Sequence, residues 1–129
     1  MRKIALALAL AAVSGAGMAE WMNFDGNNEV TFYVDPATIR RSGDMVKFWR
    51  LASFNSPQTI GRGVSYLSVK SQEEYDCKED RNRTLNLAAY SQKMGIGGPI
   101  LSVDEPLEWK PVAPATIVEV LWKYACRKE

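Results

Sequence analysis

The chain has 129 residues, with sixteen Lys/Arg, fifteen Asp/Glu, two cysteines and no histidine. The lack of histidine removes the usual general base near neutral pH, Ser-His and Cys-His nucleophile systems, and most zinc sites. Near-balanced charge argues against bulk electrostatic binding to nucleic acid or anionic lipid.

Residues 1–19 read as a secretion signal. Arg2 and Lys3 precede an apolar run from Ile4 to Val13, and the small Gly17 and Ala19 stand just before a cut ahead of Glu20. The run falls well short of the roughly 20 residues that span a bilayer. No cysteine lies near the cut, so no lipoprotein anchor is expected. Cleavage removes two basic residues and no acidic one, leaving 110 residues (20–129) with a net charge of −1. That is enough for one domain with a modest core. The expected location is the periplasm or outer surface of a Gram-negative bacterium, with no transmembrane segment in the mature chain.

Val30, Phe32 and Val34 alternate with Thr31, Tyr33 and Asp35, the pattern of a half-buried strand. Asp35-Pro36 reads as a cap and first-turn proline, and Gly43 closes the short turn after Arg40 and Arg41. A β-prone run follows from Met45 to Phe54, and Asn55, Ser56, Pro57, Gly61 and Gly63 mark a loop. Val64 to Cys77 and Thr84 to Ser91 read as strands joined through the polar Lys78 to Asn82. Gly95 to Pro99 is a turn before a short strand at Ile100 to Val103, and Asp104 to Pro114 is extended.

The one predicted helix covers about Pro114 to Cys126. Ile117, Val120, Leu121 and Tyr124 keep helical spacing, and Thr116 with Glu119 fits a capping box. Glu119 also stands four residues before Lys123, so either role is open to it. The order of elements implies an α+β fold, an antiparallel sheet with one C-terminal helix packed on one face.

Cys77 and Cys126 in an exported chain imply a disulfide. Leu67, Val69, Tyr75 and Cys77 share parity on one strand, so Cys77 faces the helix end if that face packs on the helix. The bridge closes a loop of about 50 residues, which the chain-entropy model values at about 4 kcal/mol.

These segments recur in an order that resembles the surface-adhesin protein E family of bacterial exported proteins. The resemblance is carried by Tyr33 to Arg41, Val46 to Trp49, Ser65 to Ser71, Glu74 to Cys77, Tyr90-Ser91, Met94-Gly95, Glu108 to Val112 and Leu121 to Cys126. It implies a sheet of about six antiparallel strands with the helix tied on by the disulfide. It further implies a binding role toward host extracellular-matrix or serum proteins, and an ability to form a homodimer. No cofactor or metal is implied.

Two places on the chain suit recognition. One is the turn Lys78 to Arg83, where Lys78, Arg81 and Arg83 can meet acidic patches or sulfated glycans. The other is the sheet face away from the helix. There, strand parity assigns Tyr33, Trp49, Tyr66 and Tyr90 to an aromatic patch for a partner or a second copy. A helix of about 12 residues is only about 18 Å long and leaves such a face open.

Catalysis has little support. Glu74 and Asp76 share a strand face and Glu73 points away, and a solvated strand edge accounts for all three. Gly61-Arg62-Gly63 and Gly95 to Gly98 lack the lysine and following helix of a phosphate loop. The expectation is a non-catalytic exported module that binds a protein partner; the alternative is a periplasmic, envelope-associated protein without a host ligand.

Overall fold

The computed structural model describes residues 20–127. The expected signal, residues 1–19, lies outside the described residues. The strands are β1 Met22–Gly26, β2 Val30–Val34, β3 Arg40–Ser42, β4 Met45–Ile60, β5 Val64–Asp76, β6 Arg81–Tyr90, β7 Pro99–Val103 and β8 Lys110–Pro111. One helix, α1, spans Ile117–Cys126, and 3₁₀ turns occupy Pro36–Thr38 and Lys93–Gly95. Six strands form an antiparallel path in the order β1-β2-β4-β5-β6-β7. The two short strands extend it, β3 against β4 and β8 against β6.

Helix and sheet meet as the parity of their residues requires. Val34, Val46, Phe48 and Tyr75 from three neighbouring strands pack against Leu121 and Ala125 of α1. Val46 stands directly across from Tyr75, and the Phe48 and Tyr75 rings stack at 5.2 Å. Tyr124 meets Phe48 edge-on at 5.8 Å, and Phe24 of β1 covers Tyr124 at 5.0 Å. The disulfide joins Cys77, one residue beyond β5, to Cys126, the last helical residue, with Cα atoms 5.5 Å apart. Arg41 Nη1 reinforces this end of the helix by donating to the Ala125 carbonyl at 2.7 Å.

Both predicted caps form. Asp35 accepts from Ala37 N ahead of the first 3₁₀ turn, with Pro36 at its start. At α1, Glu119 N donates to Thr116 Oγ1 at 3.2 Å, and Ala115 N donates to Glu119 Oε1 at 3.3 Å. Glu119 therefore reaches back over the helix start, in the manner of a capping box. Val120 departs from the expected stripe: it is 41% exposed. The buried line runs through Leu121 and Ala125, and Val120, about 100° round the helix from Leu121, falls outside it.

Three boundaries differ from the sequence reading. The segment 55–60, expected as loop, continues β4, and the turn is confined to residues 61–63. Pro57 falls in the register break between Ser53 and Gln58, where a residue without an N–H costs no ladder bond. Strand β1 was not expected, because Met-Asn-Phe-Asp-Gly carries weak strand formers; pairing with β2 holds it. Strand β6 begins three residues early, at Arg81, opposite Asp76.

Candidate functional site

The sheet has a second face, away from α1. Part of it is covered by the turn 93–95. Leu51 and Ser68 are fully buried there, and Ser53 and Tyr90 nearly so. Ser68 Oγ accepts from Gly95 N at 2.8 Å and donates to Gln92 O at 2.6 Å, while Ser53 Oγ accepts from Met94 N at 3.2 Å. A Cβ on Gly95 would stand 3.6 Å from Leu51 and 3.9 Å from Tyr90, and its φ of +65° suits glycine. Lys70 Nζ lies 5.3 Å from the Tyr90 ring centre.

Beyond this small second core the face carries rows of side chains fixed by register. Tyr33, Leu51, Lys70 and Ala88 form one row; Trp49, Gln72 and Asn86 form the next. A third holds Arg40, Lys47, Glu74 and Arg83. Tyr33, Trp49, Lys47, Gln72 and Asn86 are all half-buried. Asn86 Nδ2 donates to Gln72 Oε1 at 3.2 Å, so the amides beside Trp49 are linked. The Trp49 backbone is anchored by Thr38 Oγ1 at 2.9 Å, while its indole has no ring or hydrogen-bond partner among the described residues.

The four aromatics assigned to one patch are thus divided. Tyr33 and Trp49 stand on neighbouring rows of the open face. Tyr90 shares the face but lies under the 93–95 turn. Tyr66 is six residues along β5 from the partner of Trp49, about 20 Å away at strand rise, and packs edge-on against Phe54 at 5.9 Å.

The basic turn is divided too. Arg81 Nε donates to Asp76 Oδ2 at 3.0 Å, and Arg83 Nε and Nη2 both reach Glu74 Oε1 at 2.9 Å. Trp109 lies over both guanidinium groups, 4.5 Å from Arg81 and 4.4 Å from Arg83. Lys78 is exposed. Sequence reasoning missed the role of Trp109, which lies 26 positions beyond Arg83; an indole in a proline-rich extended segment was the available signal.

The carboxylates considered for catalysis are tied rather than solvated. Glu73 is 2% exposed, accepts from Thr84 Oγ1 at 2.9 Å and lies 3.7 Å from Arg50 Nε. Asp76, also 2% exposed, accepts from Lys78 N and Glu79 N at 3.0 Å each. Burial pushes the Asp76 carboxyl up, but the Glu79 N–H, the Arg81 guanidinium and the Lys78 N–H outweigh it and hold the group below its usual 3.8. Each carboxylate answers to its own donor, which is the arrangement of a structural lattice. Among the described residues no three His, Cys, Asp or Glu gather as metal ligands, and no helix is long and apolar enough to cross a membrane.

Residues 21–127 match the family model of surface-adhesin protein E. The crystal structure of protein E from non-typeable Haemophilus influenzae superposes with a TM-score of 0.58 at 14% identity, covering 83% of this chain and 75% of that one. A second crystal form of Haemophilus influenzae protein E gives 0.59 at 13% identity, covering 85% and 96%. At such identities the likeness is one of fold. No curated protein sequence matches the chain.

Proposed function

Because the chain belongs to the surface-adhesin protein E family, we propose that it is an exported, non-catalytic binding module that holds a protein partner on its uncovered sheet face. The partner class is an extracellular-matrix or serum protein. Tyr33 and Trp49 are the central contacts. The observation that carries this reading is Trp49, a half-buried indole on a sheet face with no partner of its own among the described residues. Aromatic anchors of this kind dominate interface energetics, because they bury large area with few rotatable bonds. Lys78 and Tyr66 lie outside this contact, Tyr90 lies under the 93–95 turn, and Arg81 and Arg83 lie against Trp109.

The test has two parts. Binding of the mature chain to immobilised matrix and serum proteins should fall about tenfold or more with Tyr33→Ser plus Trp49→Ser, measured well below the variant's melting temperature and with its circular dichroism that of the parent. Protease treatment of intact cells should remove the protein. A chain digested only after the outer membrane is opened would point instead to an envelope-associated role without a host ligand. Sedimentation of the same double variant separates partner binding from pairing with a second copy.

A further inference from the structure

The open face is more than aromatic, and its chemistry is specific. The third row places Arg40 directly across from Lys47, two cations where opposite charges would be the stabilising choice. Glu74 stands across from Lys47 on the other side, yet its ion pair is with Arg83. No ion pair joins Lys47 to Glu74 among the described residues. A cavity of about 120 Å³ lies between Arg40, Arg41, Ser42, Met45, Lys47 and Glu74. Lys70 adds a further cation on the same face. The mature chain carries a net charge of −1, so this local excess of positive charge is a concentration, not a reflection of composition.

Trp49 is two residues from Lys47 on the same strand face, about 7 Å away. On its other flank, across β5 and β6, stand the linked amides of Gln72 and Asn86. An indole with free area, two amides and a pair of cations lie within about 16 Å along the sheet, roughly the span of three pyranose rings. An indole packs against the C–H face of a sugar, amides donate to and accept from hydroxyls, and cations meet an acidic substituent. Arg40 Nη1 donates to Ala37 O at 3.0 Å and Ile39 O at 2.9 Å, and the two amides bond each other, so an apolar protein surface would desolvate the Lys47 ammonium and the remaining donors of Arg40, Gln72 and Asn86, at a cost.

We propose that the group this face recognises is an acidic glycan carried by the partner, with a pyranose ring on Trp49 and its carboxylate or sulfate between Lys47 and Arg40. The inference rests on the partner-binding reading above and names the chemistry recognised.

The experiment is calorimetric titration of the mature chain with three probes: a heparin hexasaccharide, a hyaluronan hexasaccharide and neutral chitohexaose. Binding to one or both acidic probes, with at least tenfold weaker binding to chitohexaose, is the expected result. The two acidic probes distinguish sulfate from carboxylate recognition. Trp49→Ala and Lys47→Gln should each weaken the acidic probe about tenfold, while Trp49→Tyr and Lys47→Arg retain most of it. Lys78→Gln, on the hairpin turn, should change nothing. Equal losses from Lys78→Gln and Lys47→Gln, or full binding by Trp49→Ala, would reduce the effect to diffuse charge and overturn the proposal. So would equal affinity for chitohexaose, or no binding to any probe. Removing acidic glycans from a bound matrix protein separates the two readings. Loss of binding supports the glycan, whereas retained binding that still depends on Trp49 overturns the glycan and leaves the protein-partner reading standing.

Discussion

Ser68 Oγ holds Gly95 N at 2.8 Å from a fully buried position, and through this one hydroxyl β5 fixes the turn that covers part of the sheet face away from α1. The same oxygen donates to Gln92 O. Ser68→Ala therefore strands an amide and a carbonyl together, at a cost of about 2 kcal/mol. Hydrogen exchange should show the Gly95 amide losing protection while β4 and β5 keep theirs. Unchanged exchange at Gly95 would mean the turn is held by other contacts.

The Cys77–Cys126 bridge spans a sequence separation of 49 and clamps the last turn of α1 to the end of β5. Its loss should cost about 4 kcal/mol. In a domain of this size that corresponds to a fall in melting temperature of roughly 15–20 °C. Calorimetry with and without reductant, and on Cys126→Ser, measures it. The loss should be felt first in α1, where Arg41 and the Leu121 and Ala125 contacts remain to hold the helix. A melting curve indifferent to reductant would contradict the clamp.

Asp76 makes stability depend on acid. A carboxyl whose folded pKa lies below its unfolded value stabilises the fold fully above that unfolded value, near 3.8 here, and the contribution is lost as pH falls toward the folded pKa. The gap between the parent and Asp76→Asn should accordingly be constant from pH 7 to about pH 5 and close progressively below about pH 4. Urea denaturation at pH 7, 5, 4 and 3 gives the comparison. A gap that widens on acidification would place the carboxyl's folded pKa above its unfolded one.

Elements with a local signature were legible in the sequence. Val30, Phe32 and Val34 declare a strand face by alternation, Thr116 and Glu119 declare a helix start, and Cys77 declares its face through parity with Tyr75. What escaped depends on contacts distant in sequence. Strand β1 is a strand only because β2 lies beside it, and Pro57 is tolerated only because the ladder breaks there. Tyr90 reads as an outward aromatic until the turn 93–95 folds over it. The bulge between Gln72 and Glu73 shifts the β5–β6 register, and sequence periodicity carries no sign of it. For the open face, the side of the sheet was legible for Tyr33 and Trp49. The cation row needed the β3–β4 pairing, which sets Arg40 across from Lys47.

Trp109 supplies a last prediction, because it connects the extended segment after β7 to the charged ladder of β5 and β6. Its indole lies within 4.5 Å of two guanidinium groups that are also bound to Asp76 and Glu74, so each cation is held by a carboxylate as well as by the ring. Such contacts contribute roughly 0.5–1 kcal/mol each at partly exposed sites, so Trp109→Ala should cost about 1–2 kcal/mol. Trp109→Phe should recover part of it, since the smaller ring keeps a face for one guanidinium. The hydrogen bonds from Leu107 N to Thr84 O and from Val112 N to Asp80 O bracket the indole, and both should weaken with it. Limited proteolysis should then cut between residues 104 and 113 in the alanine variant well before the parent. Equal cleavage rates would show that β8 pairing with Arg81 and Asn82, not the indole, secures the segment.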